Sequence, residues 1–252
     1  MLRVASLLFW TFLVVTSALL FPVAVLVWLI TLPFDPRKAI LHQFTCFWGS
    51  LYTWLNPAWP VTLHGLDQFD DRTPSVMVAN HLSLLDILVL FRLFKHFKWV
   101  SKIENFRLPF IGWNMSLNGY VKLTRGSRSS VMQMFRDCEK QIANGSSVMI
   151  FPEGTRSATG RLRSFKPGAF EIALRTRSPI VPISLHGTAD ALPKRGFVLR
   201  GRHPIEVNVL EPMPYESFAD LTVEELTEQV RNRIAADLEE RAKARESSTS
   251  PS

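Results

Sequence analysis

Between Arg3 and Asp35 there is no charged residue, and the 31 residues from Val4 to Phe34 form one apolar run. Such a stretch belongs in lipid. As a single helix it extends about 46 Å, against a hydrocarbon core of about 30 Å, so it must tilt steeply, bend near Pro22, or enter the bilayer and return. A cleaved signal peptide would stop sooner: Val15-Thr16-Ser17 suits a cleavage site, but the run continues far past it. Pro33 and Asp35-Pro36 break the helix. Beyond Arg37-Lys38, residues Ile40, Phe44, Phe47, Leu51 and Leu55 recur at three- and four-residue intervals, which predicts a second, amphipathic helix. Its aromatics, Phe44, Phe47, Trp48, Tyr52 and Trp54 with Trp59 nearby, suit the headgroup boundary and core packing equally. Basic residues flank the apolar run on both sides, so charge asymmetry does not choose between spanning and re-entrant topologies.

From Val61 the pattern changes to short strands alternating with helices. Val61–Leu66, Ser75–Ala79, Lys98–Ser101, Tyr120–Leu123, Ser147–Phe151, Ile180–Leu185 and Ile205–Leu210 read as strands, and Ser83–Phe94, Ser129–Asn144 and Gly168–Thr176 as helices. This order predicts an α/β fold: a single mixed, largely parallel sheet flanked by helices, with ligands at the carboxyl ends of the strands. A last helix, Thr222 to about Lys243, has a capping box in Thr222 and Glu225 and an apolar stripe of Val223, Leu226, Val230, Ile234 and Leu238 that predicts docking onto the domain. The expected organisation is a membrane-associated helical element at 1–58, an α/β domain at 59–244 and a disordered tail at 245–252.

Within that frame, Asn80-His81-Leu82-Ser83-Leu84-Leu85-Asp86 places an imidazole and a carboxylate at a strand-to-helix turn. On one helix, residues five apart point about 140° away from each other, so the pair can meet only if His81 stays on the turn. Ser83 and Asp86 have the spacing of a capping box, which makes Ser83 the expected N-cap. The carboxylate can then hold one imidazole nitrogen and leave the other to take a proton.

From Lys102 to Arg202 there are 17 Lys and Arg against 6 Asp and Glu, so this half faces something anionic. No zinc-finger, RRM or helix-turn-helix pattern accompanies the charge, which argues against nucleic acid and leaves a phosphate-bearing substrate or an anionic membrane surface. The two cysteines, Cys46 and Cys138, lie far apart, which points to a reducing compartment and away from a disulfide scaffold or cysteine-based zinc site. A metal hydrolase using His81, Asp86 and His186 or His203 lacks the H-x-x-x-H or H-E-x-x-H spacing, so no metal is expected.

Four blocks follow in order: the His81–Asp86 turn; Gly119-Tyr120-Val121-Lys122-Leu123-Thr124-Arg125; Val148-Met149-Ile150-Phe151-Pro152-Glu153-Gly154-Thr155-Arg156-Ser157; and Pro179-Ile180-Val181-Pro182-Ile183. In order and spacing they resemble the glycerolipid acyltransferase family, above all the 1-acyl-sn-glycerol-3-phosphate (lysophosphatidic acid) acyltransferases. The resemblance covers roughly Val61 to Pro214. It implies an N-terminal two-helix membrane-attaching element, monotopic attachment with the catalytic domain on the cytoplasmic face, and transfer of a fatty acyl group from acyl-CoA or acyl carrier protein to the sn-2 hydroxyl of 1-acylglycerol 3-phosphate. Other lysolipids and glycerol 3-phosphate are alternative acceptors, and a non-enzymatic anionic-lipid-binding protein is the rival outside enzymology. No cofactor is implied.

No G-x-S-x-G elbow is present, so the expected reaction is direct transfer, with His81 as base and Asp86 fixing its tautomer. Backbone N–H groups at the start of the Ser83 helix are the expected oxyanion donors. Arg125 and Arg156 are the expected phosphate ligands, since a guanidinium fork matches phosphate. Gly154 and Thr155 belong to the turn that carries Arg156, where a glycine exposes backbone N–H groups. Glu153 either hydrogen-bonds the glycerol hydroxyl or holds Arg125 or Arg156. Lys122 and Lys166 are further candidates for the same phosphate or that of the acyl carrier. Asn80, Ser83 and Pro182 are expected to be structural, Pro182 fixing the strand that borders an acyl groove.

Overall fold

The computed structural model describes residues 1–70, 72–194 and 196–249. The apolar run is one unbroken helix, α1 (Leu2–Thr31), continuous through Pro22. That selects the single-helix reading and removes re-entry within the run. The helix is built inside out by the standard of a water-soluble protein. Its buried positions are the small residues Ser6, Ser17, Ala24 and Thr31, while Leu7, Leu8, Val15, Leu19, Leu26 and Ile30 are exposed. An apolar surface of that size is stable only against lipid, so α1 marks a membrane-associating element.

The small-residue seam receives α2 (Ala39–Trp54), whose Tyr52 hydroxyl meets Thr16 Oγ1 at 2.9 Å and Ser17 Oγ at 3.3 Å. The sequence offered α2 two roles, and the helix divides them by face. Leu41, Trp48 and Tyr52 are buried against α1, whereas Ile40, Phe47 and Leu55 of the expected stripe, and Trp54 beside them, are exposed. Trp59 is core.

Seven strands form one sheet: β1 (Val61–His64), β2 (Val76–Ala79), β3 (Phe97–Lys102), β4 (Val121–Leu123), β5 (Ser147–Ile150), β6 (Ile180–His186) and β7 (Ile205–Val209). Their order is β1-β7-β6-β2-β5-β3-β4, parallel throughout except for β6 against β7. Strands β6, β2, β5, β3 and β4 therefore end on the same edge. In β2 the alternation of side chains separates the two cores: Met77 and Ala79 pack on the face of α3 (Leu85–Phe91) and the short α7 (Thr188–Ala191), Val76 and Val78 on the face of α5 (Arg128–Ala143), α6 (Gly168–Thr176) and α8 (Val223–Thr249).

The final helix docks as its stripe required. Leu226, Val230 and Ile234 are fully buried, Thr222 and Glu225 exchange both capping-box bonds, and Asp237 accepts from Ser184 and Asn208. The helix runs on to Thr249, past the expected end near Lys243, and residues 250–252 of the expected tail lie outside the described residues.

Pro182 sits inside the sheet, in β6 between β7 and β2, a position that normally excludes proline. It fits because the β7 ladder starts one residue later, at Ile183–Val209, and the next contact back is the isolated Ile180–Met213 bridge. Its carbonyl still accepts from Leu210 N–H, at 2.9 Å.

Two elements between β3 and β4 were not expected: a 3-10 helix at Ile103–Arg107 and α4 (Ile111–Leu117). Gly112 lies inside α4 because the helix presses on the preceding turn; a Cβ there would stand 2.5 Å from Asn105 O. The α3 helix is also shorter than the expected Ser83–Phe94. It ends at Phe91, and Phe94 takes a left-handed φ of 51°.

Lys98, in β3 and 2% exposed, fastens the α1–α2 connection to the domain. Its ammonium donates to Arg37 O at 2.7 Å and to Asn118 O at 2.8 Å. Burial first, then the nearby Lys38 charge, pulls its pKa from 10.5 to about 7. Between those values the unfolded chain holds a proton that the folded chain has released, so this group makes stability rise with pH from about 7 to 10.5. Urea unfolding in detergent at several pH values should show that rise, with a slope of up to about 1.4 kcal/mol per pH unit from this residue, and Lys98→Met should flatten it.

Candidate active site

The turn after β2 brings His81 and Asp86 together. His81 Nδ1 lies 2.8 Å from Asp86 Oδ2, and the carboxylate is fully buried while the imidazole is 14% exposed. The same Oδ2 accepts the backbone N–H of Leu82 at 2.6 Å and of Ser83 at 2.8 Å, so one oxygen fixes both the turn and the ring. Asp86 Oδ1 is buried with no partner among the described residues. A carboxylate on Nδ1 keeps the proton there, which presents the Nε2 lone pair.

Ser83 completes only half of the expected capping box. Its N–H reaches Asp86, but its hydroxyl accepts from Leu85 N–H at 3.2 Å and donates to Leu192 O at 2.6 Å. Among the expected oxyanion donors, the N–H groups of Leu82, Ser83 and Leu85 are already engaged within the turn. Asn80 is structural, exchanging two hydrogen bonds with Leu185 on β6, at 3.0 and 2.7 Å.

Three further contacts immobilise His81. Its N–H donates to Glu153 Oε1 at 2.7 Å, its carbonyl accepts Ser157 N–H at 2.8 Å, and its ring stacks on Phe151 at 4.0 Å and 10°. Phe151 in turn stacks on Trp99 at 5.3 Å. Phe151, Ser157 and Trp99 were not singled out from the sequence. The signal available for the first was an aromatic at the end of β5, level with the end of β2; nothing in the sequence marked the Ser157 main-chain bond.

Glu153, 3% exposed, has different partners from those expected. Its second oxygen accepts Arg163 N–H at 3.2 Å, so both oxygens serve main-chain amides and neither holds Arg125 or Arg156. Burial raises its pKa above the usual carboxylate range, and the two N–H donors oppose that rise.

The loop brings Arg156 to the turn, since its neighbour Ser157 bonds His81, and Lys194 Nζ holds the Arg156 carbonyl at 2.7 Å. Thr155 lies half-buried between Gly154 and Arg156. Arg125 is exposed just beyond β4, three strands from β2 and so about 14 Å across the sheet. Lys122 lies over the Phe106 ring at 5.2 Å, and Lys166 covers Gly154. Gly154 has φ +68°, and a Cβ there would stand 3.1 Å from Lys166 Cε and Nζ. The lysine end can swing aside, so Gly154→Ala should cost about 1–2 kcal/mol from left-handed backbone strain, read as a lower denaturant midpoint.

A proton acceptor held by a buried carboxylate, beside a basic loop on the carboxyl edge of a parallel sheet, is equipped for transfer chemistry on an anionic substrate. Residues 60–186, half of the chain, match the family model described as Acyltransferase. The chain belongs to the acyltransferase family. This acyltransferase is 37% identical over 208 residues to a chloroplastic 1-acyl-sn-glycerol-3-phosphate acyltransferase of Arabidopsis thaliana, covering 82% of this chain and 56% of the relative. It is 35% identical over 233 residues to a 1-acyl-sn-glycerol-3-phosphate acyltransferase of Chlamydomonas reinhardtii, covering 91% and 67%. The chain thus spans less than two thirds of the length of the Arabidopsis relative. The crystal structure of the 1-acyl-sn-glycerophosphate acyltransferase PlsC from Thermotoga maritima shares the fold, with a TM-score of 0.76 over 96% of this chain and 98% of that one, at 22% identity.

Proposed function

We propose that this acyltransferase moves a fatty acyl group from an acyl thioester, acyl-CoA or acyl carrier protein, to the sn-2 hydroxyl of 1-acylglycerol 3-phosphate, giving phosphatidic acid. The observation that carries the proposal is the His81–Asp86 pair at 2.8 Å, on the turn that follows β2 at the carboxyl edge of the sheet. His81 Nε2 takes the hydroxyl proton as the alcohol oxygen bonds the thioester carbon. The tetrahedral intermediate then expels the thiolate, the C–S bond breaks, and the imidazolium returns the proton to sulfur. Asp86 stabilises the imidazolium meanwhile. Both substrates supply all the atoms of the reaction, and no cofactor or metal is assigned to it.

Arg156 and Arg125 bind the acceptor phosphate, with Lys122 and Lys166 as further cationic contacts. The names of the relatives support this acceptor. The exposed face of α1 supports attachment to the membrane; the proposed arrangement has the catalytic domain on the cytoplasmic side and α1 and α2 entering one leaflet. Detergent-solubilised protein offered labelled acyl-CoA with a panel of lyso-acceptors tests the substrate. Phosphatidic acid is the expected product, and acylation of only a different lysolipid or glycerol 3-phosphate would replace this acceptor.

A further inference from the structure

The loop from Leu192 to Arg202 joins the catalytic turn to the membrane helix. At the catalytic end, Leu192 O accepts from Ser83 Oγ and Lys194 Nζ donates to Arg156 O, at 2.6 and 2.7 Å. At the other end, Leu199 N–H donates to Ser6 Oγ at 2.9 Å and Trp10 Nε1 donates to Phe197 O at 2.7 Å, both partners lying on α1. The tip between these ties is apolar and open: Phe197 is 63% exposed and Val198 44%. Loop tips are ordinarily polar, because they face water.

Two observations say what covers this tip. First, the Trp10 ring packs edge-on against Phe197 at 5.6 Å. Leu7 and Val14, three residues before and four after Trp10, share its helical face and are 67% and 58% exposed. The apolar surface of the tip therefore continues that of α1. Second, Arg200 and Arg202 stand exposed immediately beyond the tip, and Lys194 precedes it. Apolar residues flanked by basic side chains match the boundary between acyl chains and anionic headgroups.

We propose that the Leu192–Arg202 loop is a second membrane contact, made by the catalytic domain itself: Phe197 and Val198 enter an anionic bilayer surface beside α1 while Arg200 and Arg202 meet lipid phosphates. This rests on the reading of α1 as a membrane element and adds a separate contact to it. Because the loop also bonds Ser83 and Arg156, it holds the catalytic turn at the lipid surface, where a lysolipid acceptor resides.

The test uses the full chain in vesicles of phosphatidylcholine with about one-third phosphatidylglycerol. An environment-sensitive fluorophore is placed at Val198→Cys, with Leu19→Cys on α1 and Glu224→Cys on α8 as references; the native Cys46 and Cys138 are fully buried. A lipid-borne nitroxide is expected to quench the label at 198 at least about twofold more than the label at 224, with blue-shifted emission at 198. Arg200→Gln with Arg202→Gln should reduce that quenching by about half. A label at 198 that behaves like the one at 224 overturns the proposal. If the label at 19 remains lipid-quenched in that case, only the loop contact is lost; if it too behaves like 224, the membrane reading of α1 falls with it.

Discussion

Replacement of His81 by alanine is expected to lower acyl transfer by about 10²–10⁴-fold while the protein stays folded. The separation is possible because the position of this residue is fixed by its main chain as well as its ring. The N–H bond to Glu153 and the carbonyl bond from Ser157 survive the substitution, and Asp86 keeps the amides of Leu82 and Ser83. What disappears is the stacking on Phe151 and the imidazole nitrogen that the Nδ1 bond to Asp86 leaves free to take a proton. Asp86→Asn should fall in the same range for a different reason. With its oxygen in the place of Oδ2 the amide still accepts from the turn and from Nδ1–H, but it loses the negative charge that stabilises the imidazolium. Initial rates and thermal melts on the same preparations read both effects. A folded His81→Ala protein retaining more than about one tenth of the activity would remove His81 as the base.

The residues that were legible in the sequence share one property: their role follows from local pattern. The period-2 and apolar runs located all seven strands, and the placement of β2 and β5 put the His81 turn and the Glu153 loop on one edge. The H-x-x-x-x-D spacing required a turn rather than a helix, and a turn is present. What was not legible depends on tertiary approach. Gly112 lowers the helix propensity of α4, and only its contact with the Asn105–Phe106 backbone explains why a glycine stands there. The division of α2 into a face buried on α1 and an exposed aromatic face follows from the small-residue seam of α1, which a hydrophobic average over either helix hides. Lys98 reads as an ordinary strand lysine, because the carbonyls of Arg37 and Asn118 come from distant segments. The same is true of Glu153: its block pointed to the site, whereas the amides it binds belong to residues 72 positions earlier and 10 later.

Glu153→Ala is therefore expected to damage both catalysis and stability, although the carboxylate faces main chain. Its loss leaves the His81 and Arg163 amides without their acceptors, at a cost of about 1–3 kcal/mol for burying an unpaired donor. It also unties the His81 turn from the loop that carries Arg156, and a displacement of about 1 Å at a reacting group is worth about 10²-fold in rate. Glu153→Gln separates the two contributions. Its carbonyl oxygen can retain the 2.7 Å bond to His81 N–H, while its amide group turns a donor toward Arg163 N–H, so turnover should return in part. The glutamine also alters the pH dependence in a defined direction. Burial raises the carboxyl pKa of Glu153 above its ordinary 4.5, so between 4.5 and the raised value the folded chain binds more protons than the unfolded one. Wild-type stability from this group accordingly falls as pH rises across that window, and Glu153→Gln abolishes the fall. In steady-state kinetics a positioning role lowers kcat in Glu153→Ala and leaves the acceptor KM near its original value. A raised acceptor KM with unchanged kcat and unchanged stability would place the carboxylate against the glycerol of the substrate instead.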